Sequence, residues 1–219
     1  MDFARARQTM VDTQIRTGDV TDQHVLEAFL AVPREAFLPE AQRTLAYRDR
    51  AVEVTGHRGG PKRFLLDPMV LAKLLQLADL EEAGRALVVG CATGYSAALV
   101  AELVPEVVAL ESDPALTGIA RSALAARPNV TVVEGELTAG WAAGAPYDVV
   151  LVDGAVEFVP EALQSQVQEG GRLVAIVGTG MAGKAMLYRR VDGDFSGFPA
   201  FDAPAPPLPG FQKPPSFVF

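Results

Sequence analysis

The sequence predicts an α/β fold in which a mostly parallel, twisted sheet carries helices on both faces. Three observations predict it. From Arg85 onward, short Val/Leu-rich runs ("ALVVG", "EVVALE", "NVTVVEG", "YDVVLVDG", "GRLVAIVG") alternate with helix-patterned segments. The runs are continuously apolar instead of alternating with polar residues, which marks strands buried on both faces. The first run ends in a glycine turn leading directly into a helix pattern, "GCATGYSAALVAEL", the arrangement that anchors ligands in open α/β sheets.

The elements follow in order. Residues 2 to about 50 read as helical: Val25, Leu26, Phe29, Leu30 and Val32 recur at helix spacings, Thr21 or Asp22 is placed to cap that helix, and Pro33 separates two segments. Residues 51 to 67 hold glycines, a proline and basic residues, and read as a loop. "PMVLAKLLQLADL" reads as a helix with Pro68 in its first turn, where a missing N–H is harmless. The strand-and-helix core spans residues 81 to 192, with "KAMLYRRV" as its last strand. The tail, 193 to 219, is rich in proline and phenylalanine. It is expected to form an irregular arm that docks Phe195, Phe198, Phe201, Phe211, Phe217 and Phe219 in apolar pockets. The organisation is therefore a helical region with a substrate-side loop (1–80), a core (81–192) and an arm (193–219) within one compact domain.

At 219 residues, 49% of them apolar, the chain is long enough to bury a full core and short enough for one domain. A net charge of −8 without a basic run argues against a nucleic-acid partner. The single cysteine, Cys91, excludes an intramolecular disulfide and a multi-cysteine zinc site. No window reads as a signal peptide or a membrane span. A soluble, cytoplasmic protein is expected, and the sequence leaves its oligomeric state open.

The turn after the first core strand carries the chemistry. A dinucleotide fold would show Gly-x-Gly-x-x-Gly, whose second glycine admits a pyrophosphate. Here the residues are Gly90, Cys91, Ala92, Thr93, Gly94 and then bulky Tyr95. That spacing suits a ligand without phosphates, such as S-adenosylmethionine, whose carboxylate is favoured near helix N–H groups. Glu111, with Ser112 beside it, ends the next run and can accept hydrogen bonds from ribose hydroxyls. Glu136 ends the run after that, within reach of an adenine amino group. Taken singly, the glycine pair reads equally as a tight turn and Glu111 as a solvated strand end. Cys91 reads as a packing residue, since no histidine lies near it in sequence.

These segments resemble the protein-L-isoaspartate O-methyltransferases, within the class I methyltransferases of Rossmann-like fold. The resemblance covers roughly residues 8 to 192. It rests on "MVDTQIRTGDVTDQHVLEAFLAVPREAFLPEAQRTLAYRDRAV" in the N-terminal region and on "VVGCATGYSAALVAEL", "VVALESDP" and "APYDVVLVDGAVEFVPEALQSQVQEGGRLVAIVG" in the core. It implies cofactor contacts at Gly90, Cys91, Ala92, Thr93, Gly94, Tyr95, Glu111, Ser112, Glu136 and Leu137. Asp153 joins them at the end of the fourth core strand. The implied reaction is methyl transfer from S-adenosylmethionine to the free carboxylate of a damaged aspartyl residue, with S-adenosylhomocysteine as product.

The chain departs from the family on the substrate side. The family carries a Thr-Ile-Ser-Gln-Pro-like segment, where this chain reads Phe64-Leu65-Leu66-Asp67-Pro68, so Leu66 replaces the serine. Asp153-Gly154 stands where Thr-Ala is usual. Leu65 and Leu66 would make the site's mouth apolar, and Asp67 would either repel an incoming carboxylate or cap the helix at Pro68. Leu66, Asp67 and the loop residue His57 are positional candidates for a catalytic role. Arg58, Lys62 and Arg63 read as solvated charges or as attractors of an acidic substrate. Asp153 and Glu157 resemble metal-binding carboxylates but lack a matching partner pair, and no metal is expected. The acceptor is then an isoaspartyl peptide or protein, or a small acidic molecule. The rival readings are a methyltransferase with a different acceptor and a catalytically silent S-adenosylmethionine-binding protein.

Overall fold

The computed structural model describes residues 1–55, 61–178 and 180–213. Its N-terminal region begins with α1 (Phe3–Met10), passes through a π turn (Val11–Ile15), and continues into α2 (Gln23–Ala31). Asp22 caps α2 by accepting from the His24 and Val25 N–H groups. Beyond Pro33 the chain runs through two 3-10 segments, Arg34–Phe37 and Glu40–Leu45, instead of regular helix. Pro33 and Pro39 stand immediately before them and break the ladder that an α-helix needs.

Residues 51 to 67 are not wholly loop. β1 (Val52–Glu53) and β2 (Phe64–Leu65) pair antiparallel there. α3 (Pro68–Ala78) follows, capped by Asp67, which accepts from Met69 N at 2.9 Å and from Val70 N at 3.4 Å.

The core then unfolds in order: β3 (Arg85–Val89), α4 (Tyr95–Val100), β4 (Glu106–Glu111), α5 (Pro114–Ala123), β5 (Val130–Glu134), β6 (Tyr147–Val156), α6 (Glu161–Gln164), β7 (Val167–Val177), β8 (Lys184–Val191) and β9 (Asp194–Asp202). The sheet order is β5-β4-β3-β6-β7-β8-β9. It is parallel from β5 to β7 and antiparallel at β8 and β9. The chain reverses its direction of travel between β3 and β6, so their carboxyl ends flank the switch point where open α/β sheets bind ligands.

Both faces of the sheet are covered. Along β3, Ala86 and Val88 join one buried cluster while Leu87 and Val89 join the other. The first cluster takes in Met10, Phe29, Leu66 and Leu71 from the N-terminal region together with Leu116 and Ala120 of α5. The second is closed by Leu137, by Leu163 of α6, and by Leu208 and Phe211 of the C-terminal arm.

Among the described residues, the arm is irregular only from 203 to 213, because its first segment is β9. The strand escaped a periodicity reading because it contains Pro199 and lacks strict alternation. As the sheet's edge it needs no N–H on its outer side, and its register slips between Ala185 and Met186, so a proline is tolerated. Phe195 stacks on Tyr188 with centroids 5.4 Å apart, whereas Phe198 is exposed. Phe217 and Phe219 lie outside the described residues. Among those residues, no helix is long and apolar enough to cross a membrane.

Candidate functional site

The turn after β3 is a compact backbone structure. Gly90 and Cys91 both donate to the Leu110 carbonyl, at 2.8 and 3.1 Å, and Gly94 N closes the turn on Cys91 O at 2.7 Å. Gly90 and Gly94 have φ of 81° and 100°, the left-handed region in which a side chain would be strained. Thr93 Oγ1 donates to the Phe37 carbonyl at 2.7 Å and ties the turn to the N-terminal region. The whole segment from Gly90 to Tyr95 is buried.

Glu111 stands at the end of β4 and is fully buried, at 0% exposure. Its Oε2 accepts from Ala92 N at 2.8 Å, and its Oε1 accepts from Ser112 N at 2.8 Å and Asp113 N at 3.1 Å. Oε1 also accepts from Arg63 Nη1 at 2.5 Å, while Arg63 Nη2 donates to the Gly90 carbonyl at 2.9 Å. Arg63 is only 2% exposed, so it is neither a solvated loop charge nor a surface attractor. It is the buried counter-ion of Glu111.

Leu208 completes the enclosure. A Cβ built on Gly90 would lie 2.9 Å from Leu208 Cδ2 and 3.0 Å from Arg63 Nη2, and one on Gly154 would lie 2.6 Å from Leu208 Cγ. The arm therefore inserts a leucine between the carboxyl ends of β3 and β6. Its backbone is anchored there by Ala155 N donating to Pro206 O at 2.9 Å and by Leu208 N donating to Ala155 O at 2.8 Å.

A second buried polar group lies on the N-terminal side. Arg34 is fully buried and donates to Ala46 O at 2.8 Å and Leu66 O at 2.6 Å, with its guanidinium 4.8 Å above the Tyr95 ring. Tyr95 also packs against Phe37 and Phe29, at 5.6 and 6.2 Å, so it serves the N-terminal packing. Leu65 and Leu66 are core residues and do not form an apolar mouth. Asp67, capping α3, is pushed upward in pKa by burial and by the Asp49 carboxylate. Asp153, at the end of β6, is raised to about 6 by burial, an effect that Ser96, Arg63 and Arg34 partly offset. Among the described residues, its Oδ1 has no hydrogen-bond partner.

The other expected site residues are placed unequally. Ser112 lies beside Glu111, with its Oγ 3.4 Å from Oε1. Leu137 is buried in the second cluster, and Glu136 is exposed, accepting from Thr138 Oγ1 at 2.5 Å. Lys62 pairs with Glu53 at 3.0 Å. Cys91 is buried, and burial holds its thiol well above the usual range, as expected of a packing residue. His57 and Arg58 lie outside the described residues. Arg63 as an ion-pair partner and Leu208 as a wall of the site were not anticipated. The signal for Leu208 was the Pro-rich "PAPPLPG" stretch, which holds a single large apolar residue.

The family model described as protein-L-isoaspartate(D-aspartate) O-methyltransferase matches residues 5–198. A protein-L-isoaspartate O-methyltransferase 1 of Rhodopseudomonas palustris (strain HaA2) is 37% identical over 187 residues, covering 84% of this chain and 74% of the relative. A protein-L-isoaspartate O-methyltransferase of Roseiflexus sp. (strain RS-1) is 36% identical over 196 residues, covering 89% of this chain and 87% of the relative. Among solved structures, a protein-L-isoaspartate O-methyltransferase superposes with a TM-score of 0.82 at 26% identity, covering 93% of this chain and 66% of that one. A beta-aspartate methyltransferase of Plasmodium falciparum, in complex with S-adenosyl-L-homocysteine, shares the fold with a TM-score of 0.76 at 18% identity, covering 91% of this chain and 96% of that one.

Proposed function

This chain belongs to the protein-L-isoaspartate(D-aspartate) O-methyltransferase family, and from that premise we propose that it methylates the free carboxylate of a damaged aspartyl residue, using S-adenosylmethionine and releasing S-adenosylhomocysteine. The observation that carries the site assignment is the Gly90 turn standing against the Glu111 carboxylate at the carboxyl ends of β3 and β4. The residues suit that cofactor in kind. Gly90 and Gly94 give the turn a left-handed backbone without side chains at the carboxyl end of β3, and Glu111 has the acceptor oxygens that ribose hydroxyls require. A cytoplasmic setting accords with a single, buried thiol.

When bound, the cofactor's sulfonium supplies an electrophilic methyl group. The chain's own task is positioning, because a carboxylate acceptor is already ionised near neutral pH and needs no general base. Arg34 fixes the segment before α3 by holding the Leu66 carbonyl, and Asp67 is committed to the Met69 and Val70 N–H groups. Asp153 is buried beside the turn and can leave water behind only as its charge is neutralised or paired.

A different acceptor is the second reading, favoured by Leu66. A buried leucine offers no hydroxyl to a substrate carboxylate, an interaction worth roughly 1.5–3 kcal/mol, or about one to two decades in rate. Methyl transfer from labelled S-adenosylmethionine to an isoaspartyl peptide, with the matching aspartyl peptide as control, tests the assignment. Selective labelling is expected. Failure to label by a protein that binds the cofactor would move the assignment to another acceptor.

A further inference from the structure

We propose that Arg63 and Leu208 form a two-part plug that fills the nucleoside end of the cofactor site and has to leave before S-adenosylmethionine enters. The inference rests on the reading of the Gly90 turn and Glu111 as that site, and it concerns how the site is loaded.

The two glycines define the space in question. Gly90 and Gly154 lie at the carboxyl ends of adjacent strands, across the switch point, and both look onto Leu208. Bare backbone at a switch point leaves room for a ligand, yet here a side chain of the protein's own arm takes that room. Arg63 does the same at the polar end. With Arg63 Nη1, Ser112 N and Asp113 N on Oε1 and Ala92 N on Oε2, the carboxylate is shut off from solvent. Ribose hydroxyls reach it only by displacing the guanidinium.

Displacement is chemically reasonable because each part of the plug has a replacement. Breaking a buried ion pair is costly when one charge is left alone, but hydroxyl donors from a ribose would take over the freed oxygen of Glu111. Pro204, Pro206, Pro207 and Pro209 have no N–H to give, so around Leu208 the arm's backbone grip on the sheet rests on the Ala155–Pro206, Leu208–Ala155 and Glu157–Phe211 hydrogen bonds. Between the two segments lies open space. A cavity of about 570 Å³ is bounded by Pro61, Lys62 and Phe64 on one side and by Pro206, Pro207 and Pro209 on the other. Either segment has somewhere to go.

The consequence is competition within one molecule. If the open form is a minor fraction of the protein, the apparent affinity for cofactor falls by that fraction, and shortening the plug restores it. Plug residues therefore carry an unusual signature: truncation weakens the ligand-free protein and strengthens ligand binding.

The test is calorimetric titration of full-length wild type, Leu208→Ala, Arg63→Ala and the double variant with S-adenosylhomocysteine, alongside urea unfolding without ligand. Leu163→Ala, a buried leucine of the same face that packs beside Gly140, controls for general loosening. Leu208→Ala is expected to bind at least about tenfold tighter than wild type while being less stable, and Leu163→Ala to be less stable with no gain in affinity. Should Arg63→Ala fail to fold, Leu208→Ala decides alone. Equal, tight binding by wild type and Leu208→Ala would overturn the plug and leave the cofactor site standing. Absence of binding by every variant would overturn the cofactor reading, and the plug with it.

Discussion

Asp153 gives a stability prediction with a defined sign. Its carboxyl is buried at the end of β6, one oxygen lacks a hydrogen-bond partner among the described residues, and its pKa stands at about 6 against an ordinary value of 3.8. A carboxyl raised in the folded state is held protonated there at pH values where the unfolded chain has already released the proton. Its stabilising contribution is thus complete below about pH 4 and is lost as pH rises through 6. With one pKa unit equal to about 1.36 kcal/mol, the full excursion is roughly 3 kcal/mol, of which about 2 kcal/mol falls between pH 4.5 and 7.5. Asp153→Asn removes the titration and keeps the shape. Urea unfolding of both proteins at pH 4.5, 5.5, 6.5 and 7.5 isolates the effect, because every other carboxylate cancels in the difference. The stability of Asp153→Asn relative to wild type should climb by about 2 kcal/mol over that range and level off above pH 7. A difference that stays flat, or that slopes the other way, would refute the assignment of a buried, protonatable carboxyl.

Three further outcomes follow from the packing. Arg34→Ala strips donors from the buried Ala46 and Leu66 carbonyls and should cost about 3–5 kcal/mol, which for a chain of this size lowers Tm by roughly 10 °C in a calorimetric scan. Leu66→Ser, the change toward the family's residue, buries a hydroxyl in the core and should destabilise by about 2–4 kcal/mol without speeding isoaspartyl methyl transfer; a stable, faster variant would contradict the core placement of Leu66. Cys91 should resist a thiol reagent in the native protein and react fully in denaturant, and rapid native labelling would show that the turn is not sealed.

How much of this was legible beforehand depends on the kind of signal. The core strands declared themselves as uninterrupted apolar runs, because a strand buried on both faces has no polar side to show. Asp22 and Asp67 were readable as caps from their places beside helix starts. β9 was hidden by Pro199, whose tolerance depends on the strand being an edge, a property of the sheet and not of the segment. Leu66 was legible as a departure, but its burial was not, since Phe64-Leu65-Leu66 has too few residues to reveal which side faces the core. The β1–β2 pairing was equally silent, because two-residue strands carry no period.

Sequence alone determined the parallel sheet, the glycine turn after its first core strand and the acidic residue ending the next, all set by local pattern and adjacent βα units. Only the tertiary structure decided what meets those residues. Arg63 and Glu111 are 48 positions apart, and Gly90 and Leu208 come from opposite halves of the chain. No periodicity links such pairs. They are joined because the chain reverses at the switch point, and a buried charge or a bare glycine surface must be filled by whatever side chain the fold brings within reach.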